Sequence, residues 1–181
     1  MGVLAQISSF GRVFLTARRN RMDLLRWLGR RPQLLTSVAA YEVALATSAR
    51  VDARLKALAE VKTAALINCE YCLDIGSALS RAEGLTDSQL RALPTFRDSG
   101  DFSAREQLVL EFAEAMTSTP TQVSDDLRRA LLARWSRAQL TELAASIAWE
   151  NHRARLNQAL GIRPSGFSDG AFCAVPERRE A

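Results

Sequence analysis

The sequence predicts an all-α protein that folds as a single-domain helical bundle. A chain of 181 residues suits one domain. Alanine and leucine are abundant whereas aromatic residues make up only 7% of the chain, a composition that favours helix. No segment shows the sustained alternation of apolar and polar residues that is typical of a half-buried strand. We therefore expect a compact helical domain, residues 32–165, with an extension at each end.

The first of these extensions is a basic N-terminal arm, residues 1–31. It holds seven arginines against a single acid, Asp23, and its apolar residues recur at helical spacing. These apolar residues are Val3, Leu4, Ile7, Phe10 and Phe14. A helix of this kind usually packs on its own domain or on a neighbouring subunit, although an acidic partner or a membrane surface would also suit it. No nucleic-acid-binding module accompanies the charge, so we expect no nucleic-acid partner.

Two helices are expected between the arm and the first cysteine. Pro32 suits the first turn of a helix, and apolar residues at helical spacing continue from there to Leu45. A second helical pattern begins near Asp52 and runs to Leu66. A third begins at about residue 69 or 70, and Gly84 supplies its C-terminal stop.

Capping signals mark the later helices. Three capping boxes follow, in which a Ser or Thr stands three residues before its Gln or Glu partner. The boxes are Thr86 with Gln89, Ser103 with Glu106, and Ser136 with Gln139. They predict helices at about 87–93, 104–117 and 137–160. Ser124 predicts a further helix at 125–135, and residues 166–181 are expected to form an irregular tail.

The chain carries no sign of a membrane span or of export. No apolar run approaches the ~20 residues that a transmembrane helix needs, and the N-terminus lacks the pattern of a signal peptide. We therefore expect a soluble cytoplasmic protein. In the cytoplasm a closely spaced cysteine pair indicates redox chemistry or metal binding more often than a structural disulfide bond.

Cys69 and Cys72 form such a pair, a C-x-x-C motif at the start of a predicted helix. Residues three apart share a helix face, so the two thiols can close a disulfide bond with little rearrangement. Cys69 would lie at the helix N-terminus, where free N–H groups favour the thiolate. This makes Cys69 a natural nucleophile and Cys72 a resolving thiol, although other enzymes with this spacing attack through the second cysteine.

The motif has two other interpretations. The cysteines are either two buried thiols that act as small hydrophobes or half of a zinc site. Zinc needs about four ligands, and only Cys173 and His152 remain as further soft ligands, without paired spacing. We expect no metal, and we interpret Cys173 as a bystander.

Two long segments resemble the carboxymuconolactone decarboxylase family, specifically its alkyl hydroperoxidase D-like thiol branch. The first, residues 51–93, contains the C-x-x-C motif, and the second, residues 102–162, contains the pattern W-x-N-x-x-x-R-x-N. The fixed positions of that pattern are Trp149, Asn151, Arg155 and Asn157. The resemblance implies a homo-oligomer, commonly a trimer or hexamer. It also implies a dithiol that reduces peroxides, an external dithiol reductant and no bound cofactor.

Two positions depart from that resemblance. Peroxidase members carry a glutamate twelve residues before the first cysteine and a histidine four residues after the second. These positions hold Ala57 and Gly76 here. Glu60 lies one helical turn from Ala57, so it is either a replacement acid or the partner of a neighbouring lysine. His152 is a second candidate for proton transfer, because histidine exchanges protons near neutral pH, or it is a histidine without a role.

The expected function is therefore that of a thiol-dependent oxidoreductase. The candidate catalytic residues are Cys69, Cys72, Glu60 and His152. The missing family residues motivate an alternative, in which the same fold serves as a non-catalytic, oligomeric binding or redox-sensing protein.

Overall fold

The structure, a computed structural model, describes residues 11–13, 15–17, 19–20 and 22–177. Every regular element in this part of the chain is a helix, as predicted. The helices are α1 (Asp23–Leu28), α2 (Pro32–Thr47), α3 (Ala53–Ile67), α4 (Glu70–Ala82), α5 (Asp87–Ala92), α6 (Ala104–Thr117), α7 (Asp125–Leu132) and α8 (Arg137–Ala159). A short 3₁₀ helix, Leu93–Thr95, follows α5, and residues 11–13 and 15–16 are also helical.

The helix starts lie where the capping signals predicted them. All three capping boxes form, and the side chains of Asp52 and Ser124 cap α3 and α7. Three helix ends differ from the prediction, and at α8 the difference is a single residue, since the helix ends at Ala159. The helix expected at 87–93 ends one residue earlier, where the 3₁₀ helix Leu93–Thr95 begins, because Pro94 has no N–H to continue the α-helical hydrogen bonds. The helix expected at 125–135 ends at Leu132, because Ser136 adopts an extended backbone to cap α8.

Helix α3 lies at the centre of the bundle and packs against α4, α6 and α8. One cluster of buried side chains joins α3 to α4 and includes Leu58 and Leu73. The other joins α3 to α6 and α8 and includes Val109 and Ile147. The two faces of α3 therefore serve two cores, and its N-terminal and C-terminal halves approach different parts of α8.

Helix α2 is the exception, because none of its residues is buried. Its sequence is nevertheless largely apolar, and Leu34 and Val43 expose 54% and 62% of their surface. One side of α2 helps to enclose a cavity, described below, and its other side presents apolar side chains outward.

Residues 163–177 contain no helix, as expected, but they are tied to α3 and α4. The carboxylate of Asp74 accepts three backbone N–H groups from residues 165–168 at 2.7–2.8 Å. The fully buried Lys62 forms an ion pair with Glu177 at 2.7 Å. The described part of the tail is therefore an integral layer of the fold.

The arm is described only in part. Its predicted apolar stripe, Val3, Leu4, Ile7, Phe10 and Phe14, lies outside the described residues. Val13, Ala17 and Leu24 pack against the core cluster that contains Leu73, and Leu28 is buried. None of the helices in the described part of the chain has the length and apolar character that a bilayer span requires.

Candidate active site

Cys69 and Cys72 are joined by a disulfide bond at the start of α4, with their Cα atoms 5.2 Å apart. Cys69 is the N-cap residue of the helix, and its sulfur accepts the backbone N–H of Cys72 at 3.3 Å. Both cysteines are buried, with exposed fractions of 1% and 5%. The first sulfur therefore lies at the helix N-terminus, where N–H groups stabilise negative charge.

Cys72 lines a cavity of about 340 Å³ beneath α1 and α2. Most of its wall is apolar, formed by Leu24, Leu25, Leu28, Leu35, Val38, Ala39, Ala57, Ile75, Gly76, Leu79 and Leu156. Its polar wall is formed by Glu42, Glu60, Tyr71, Glu150, His152, Arg153 and Asn157, with Trp149 beside them. A cavity of this size and lining is typical of a site for a small organic molecule.

The W-x-N-x-x-x-R-x-N pattern contributes to this cavity in part. The side-chain amide of Asn157 donates to the sulfur of Cys72 at 3.5 Å, and Trp149 stacks on Tyr41 with ring centroids 4.2 Å apart. Asn151 instead donates to a threonine of α6 and accepts from Arg155. The pattern thus divides between cavity residues and residues that hold α8 in place.

Four charged residues from three helices meet on one side of the cavity. The guanidinium of Arg153 lies 2.8 Å from Glu150, 3.1 Å from Glu42 and 3.5 Å from Glu60. Glu150 and Glu60 face the same nitrogen, Nη1. We call these four residues the Arg153 cluster. It contains three carboxyl groups and one guanidinium, so the acidic groups outnumber the basic one.

Burial dominates the acid strengths in the Arg153 cluster. It raises the pKa of Glu150 to about 8, and although Arg153 opposes the rise, Glu60 and Glu42 add to it. Burial likewise raises the pKa of Glu60 above its usual value, again with Glu42 in support and Arg153 opposed. Oε1 of Glu150 has no hydrogen-bond partner. The cluster therefore favours retention of a proton near neutral pH.

The four residues predicted for the site all lie at or beside the cavity. Glu60 faces it, and the alternative partners of Glu60 are engaged elsewhere, Lys56 with Glu142 and Lys62 with Glu177. His152 is exposed and stacks on Trp149, with ring centroids 4.5 Å apart.

The two positions that depart from the resemblance, Ala57 and Gly76, also line the cavity. The space that larger side chains would occupy there is therefore part of the cavity. Within the described residues, no group of three or more His, Cys, Asp or Glu side chains is arranged to hold a metal ion.

Sequence reasoning missed Glu42, Glu150 and Arg153. Glu42 is the only acid in the apolar helix α2, which was a usable signal. Glu150 and Arg153 stand one helical turn apart and precede Asn157 on nearly the same face of α8, but the resemblance treats both positions as variable. Their importance depends on helices that are distant in the sequence.

A helical bundle whose disulfide-bonded C-x-x-C motif borders a mostly apolar cavity defines the class of protein. The carboxymuconolactone decarboxylase family profile matches residues 32–115. The uncharacterized protein YnjA of Escherichia coli (strain K12) is 35% identical over 156 residues, covering 86% of this chain and 83% of YnjA. The chain belongs to the carboxymuconolactone decarboxylase family, and its C-x-x-C motif agrees with the alkyl hydroperoxidase D-like branch.

Solved structures share the fold. ATU0492 from Agrobacterium tumefaciens, a protein of unknown function for which an antioxidant-defence role as an AhpD has been suggested, is 21% identical with a TM-score of 0.72. The alignment covers 76% of this chain and 94% of ATU0492. The debrominase Bmp8, solved as a cysteine-to-alanine variant with 2,3,4-tribromopyrrole, is 21% identical with a TM-score of 0.68. That alignment covers 77% of this chain and 75% of Bmp8. The fold is therefore shared with a debrominase and with a protein of suggested antioxidant function.

Proposed function

We propose that the protein is a thiol-dependent oxidoreductase that reduces peroxides through a dithiol and disulfide cycle of Cys69 and Cys72. The observation that carries this proposal is the position of Cys72. Its sulfur forms a disulfide bond, and the residue lines a mostly apolar cavity that also contains carboxyl groups. A thiol, a substrate-sized space and groups able to move protons are what peroxide reduction needs.

Cys72 is the attacking cysteine in this proposal, and Cys69 resolves the intermediate. Cys72 lines the cavity and receives the amide of Asn157, whereas Cys69 is packed at the helix start. This reverses the roles that the helix N-terminus alone favours. In the second step, the N–H groups near the sulfur of Cys69 favour its thiolate, which is the form that attacks the sulfenic acid.

The cycle has three balanced steps. The Cys72 thiolate attacks the terminal oxygen of the hydroperoxide, an S–O bond forms, the O–O bond breaks, and the alkoxide takes a proton and leaves as the alcohol. Cys69 then attacks the sulfur of the sulfenic acid, which forms the disulfide and releases water. An external dithiol reduces the disulfide by thiol exchange and is itself oxidised. Because this cycle needs a supply of reduced dithiol, we propose the cytoplasm as its location.

Glu60 is the proposed base that removes the proton of Cys72, in place of the acid absent from position 57. It borders the same cavity, and burial raises its pKa, which makes its carboxylate a stronger base. The apolar wall favours organic hydroperoxides over hydrogen peroxide, since an apolar substrate gains from burial there.

The test is steady-state turnover of cumene hydroperoxide with a dithiol donor. We expect turnover by the wild type and its loss in both Cys69→Ser and Cys72→Ser. Cys173→Ser is the matched control, since Cys173 lies in the tail beside Ser77, and it should keep the wild-type rate. A single oxidation of the wild type without turnover would instead support a redox sensor, the alternative that Ala57 and Gly76 motivate.

We also propose that the protein forms a homo-oligomer, a trimer or hexamer, through the outer face of α2. The support is that α2 is largely apolar yet buries no residue. Val43→Glu should lower the mass measured by light scattering, whereas Leu132→Glu, at an exposed leucine of α7, should leave it unchanged. A monomeric wild type at micromolar concentration would contradict this assembly.

A further inference from the structure

We propose that Glu150 is the proton donor of this site and that it exchanges one proton with Glu60 at the guanidinium of Arg153. The inference rests on the proposed function and adds to it the group that protonates the leaving oxygen. It also gives a role to a residue that lies at a variable position of the sequence pattern.

The first support is the position of Glu150. It is only 4% exposed, yet it lines the cavity together with Cys72. One carboxyl oxygen, Oε2, accepts from Arg153 at 2.8 Å, while Oε1 has no hydrogen-bond partner. A buried oxygen without a partner costs free energy, so a proton on that oxygen, or a substrate oxygen beside it, relieves the cost.

The second support is the balance of charge around Glu150. The charged and titratable groups that face it or share its cavity are Glu42 of α2, Glu60 of α3, Tyr71 of α4, and His152 and Arg153 of α8, and Lys56 of α3 acts on Glu60. Lys56 is engaged in an ion pair with Glu142. Three carboxyls therefore compete for Arg153, and one of them is most stable when protonated. Glu150 is the most buried of the three, so it is the group that keeps the proton.

The third support is that Glu60 and Glu150 face the same nitrogen of Arg153. When Glu60 takes the proton of the Cys72 thiol, the two carboxyls together hold two protons. When the O–O bond breaks, Glu150 gives its proton to the alkoxide, which leaves as the alcohol. The proton on Glu60 then passes to Glu150. The pair ends the step with the one proton it began with, so the reaction draws none from solvent.

His152 does not compete well for this role. It is exposed, and its ring is stacked flat against Trp149 with an interplanar angle of 8°. A donor at the cavity mouth exchanges with water, whereas Glu150 is shielded from it.

The first experiment detects the proton without any turnover. Infrared spectroscopy of the resting disulfide protein should show the band of a buried, protonated carboxyl at about pH 7 that disappears as the pH rises through about 8. Glu150→Gln should lack the band, and Asp98→Asn, at an exposed carboxyl, should retain it. A band that is unchanged in Glu150→Gln would overturn the proposal.

The second experiment compares two leaving groups. Reduction of cumene hydroperoxide releases an alkoxide that needs a proton, whereas reduction of a peracid releases a carboxylate that does not. We expect Glu150→Gln to slow the first reaction about 100-fold at neutral pH and to leave the second within about 3-fold of the wild type. Equal slowing of both would mean a purely structural role and would overturn the proposal.

The two proposals fail in different ways. Turnover that Glu150→Gln does not change would reject Glu150 as the donor and keep the oxidoreductase. Absence of turnover by the wild type with either substrate would reject the oxidoreductase and the donor role together, and the infrared band would still report whether Glu150 stores a proton.

Discussion

Two buried glutamates on helix α8 have opposite surroundings. Glu142, near the start of the helix, accepts hydrogen bonds from the Ser48 hydroxyl at 2.6 Å and the Arg50 N–H at 2.9 Å, and it pairs with Lys56 at 2.9 Å. Glu150, two turns further on, accepts from Arg153 and has one oxygen without a partner. Their exposed fractions are nearly equal, 5% and 4%.

The two residues differ both in the number of donors that reach them and in how deeply the surrounding atoms enclose them. Burial raises the pKa of Glu142, but the bonds from Ser48, Lys56 and the Arg50 backbone outweigh it and hold the pKa below its usual value. At Glu150 burial prevails and the pKa rises to about 8. Glu142 is therefore an anion near neutral pH and joins α8 to α3, whereas Glu150 is available for proton transfer.

The largest expected effect on stability is that of Glu142→Gln. The change leaves the ammonium of Lys56 buried without its counter-ion, which costs about 3 kcal/mol. Glu150→Gln should cost less than about 1 kcal/mol, because Arg153 keeps Glu60 and Glu42 as partners. Urea denaturation at neutral pH measures both. An equal loss of unfolding free energy in the two variants would show that the two glutamates contribute alike to stability.

The next effect is on the pH dependence of stability. The folded pKa of Glu150 is raised, so its contribution is complete below about pH 4.5, falls as the pH rises, and is lost above about 8. The folded pKa of Glu142 is lowered, so its contribution is present above about 4.5 and is lost as the pH falls below that value. Wild-type stability should therefore decline between about pH 5 and 8 by on the order of 1–3 kcal/mol.

Glu150→Gln isolates this effect. Other groups also titrate in the range, but only the variant lacks the proton on residue 150, so its stability should decline less steeply than that of the wild type. Parallel curves from denaturation midpoints at a series of pH values would show that Glu150 is ionised in the fold.

The smallest effect concerns the space within the cavity. Gly76 lies inside α4 and lines the cavity, and an added Cβ would meet nothing closer than 3.9 Å, an atom of Val61. Gly76→Ala should therefore stabilise the protein by about 0.5–1 kcal/mol, as alanine favours helix. It should also lower kcat/KM for a bulky hydroperoxide more than for a small one. A uniform effect on both substrates would indicate that the substrate does not occupy this part of the cavity.

The sequence predicted the parts of the fold that depend on neighbouring residues. Capping boxes and N-caps are made within a few residues, so helix starts followed directly, and so did the place of Cys69 before α4. The helix face of Glu60 followed from its spacing to Ala57 in the same way. The helical class and the reactive pair followed from composition and spacing, and the family resemblance added the expected activity.

Such local patterns did not predict the contacts between segments that are distant in the sequence. Lys62 is fully buried because Glu177, 115 residues later, forms an ion pair with it. The Arg153 cluster likewise depends on how α2 and α3 lie against α8, and local spacing does not determine that packing. Glu142 and Glu150 look alike in the sequence, since the donors to Glu142 come from α3 and from the loop at residues 48–51, whereas Glu150 receives only Arg153 of its own helix.

The most direct test of the dithiol cycle is to trap its sulfenic acid. In Cys69→Ser the resolving thiol is absent, so treatment with one equivalent of cumene hydroperoxide and a sulfenic-acid-specific reagent, followed by mass spectrometry, should place the adduct on Cys72. Under the same conditions Cys72→Ser should give no comparable adduct on Cys69. An adduct on Cys69 alone, or none on either cysteine, would contradict the assignment of Cys72 as the sulfur that attacks the peroxide.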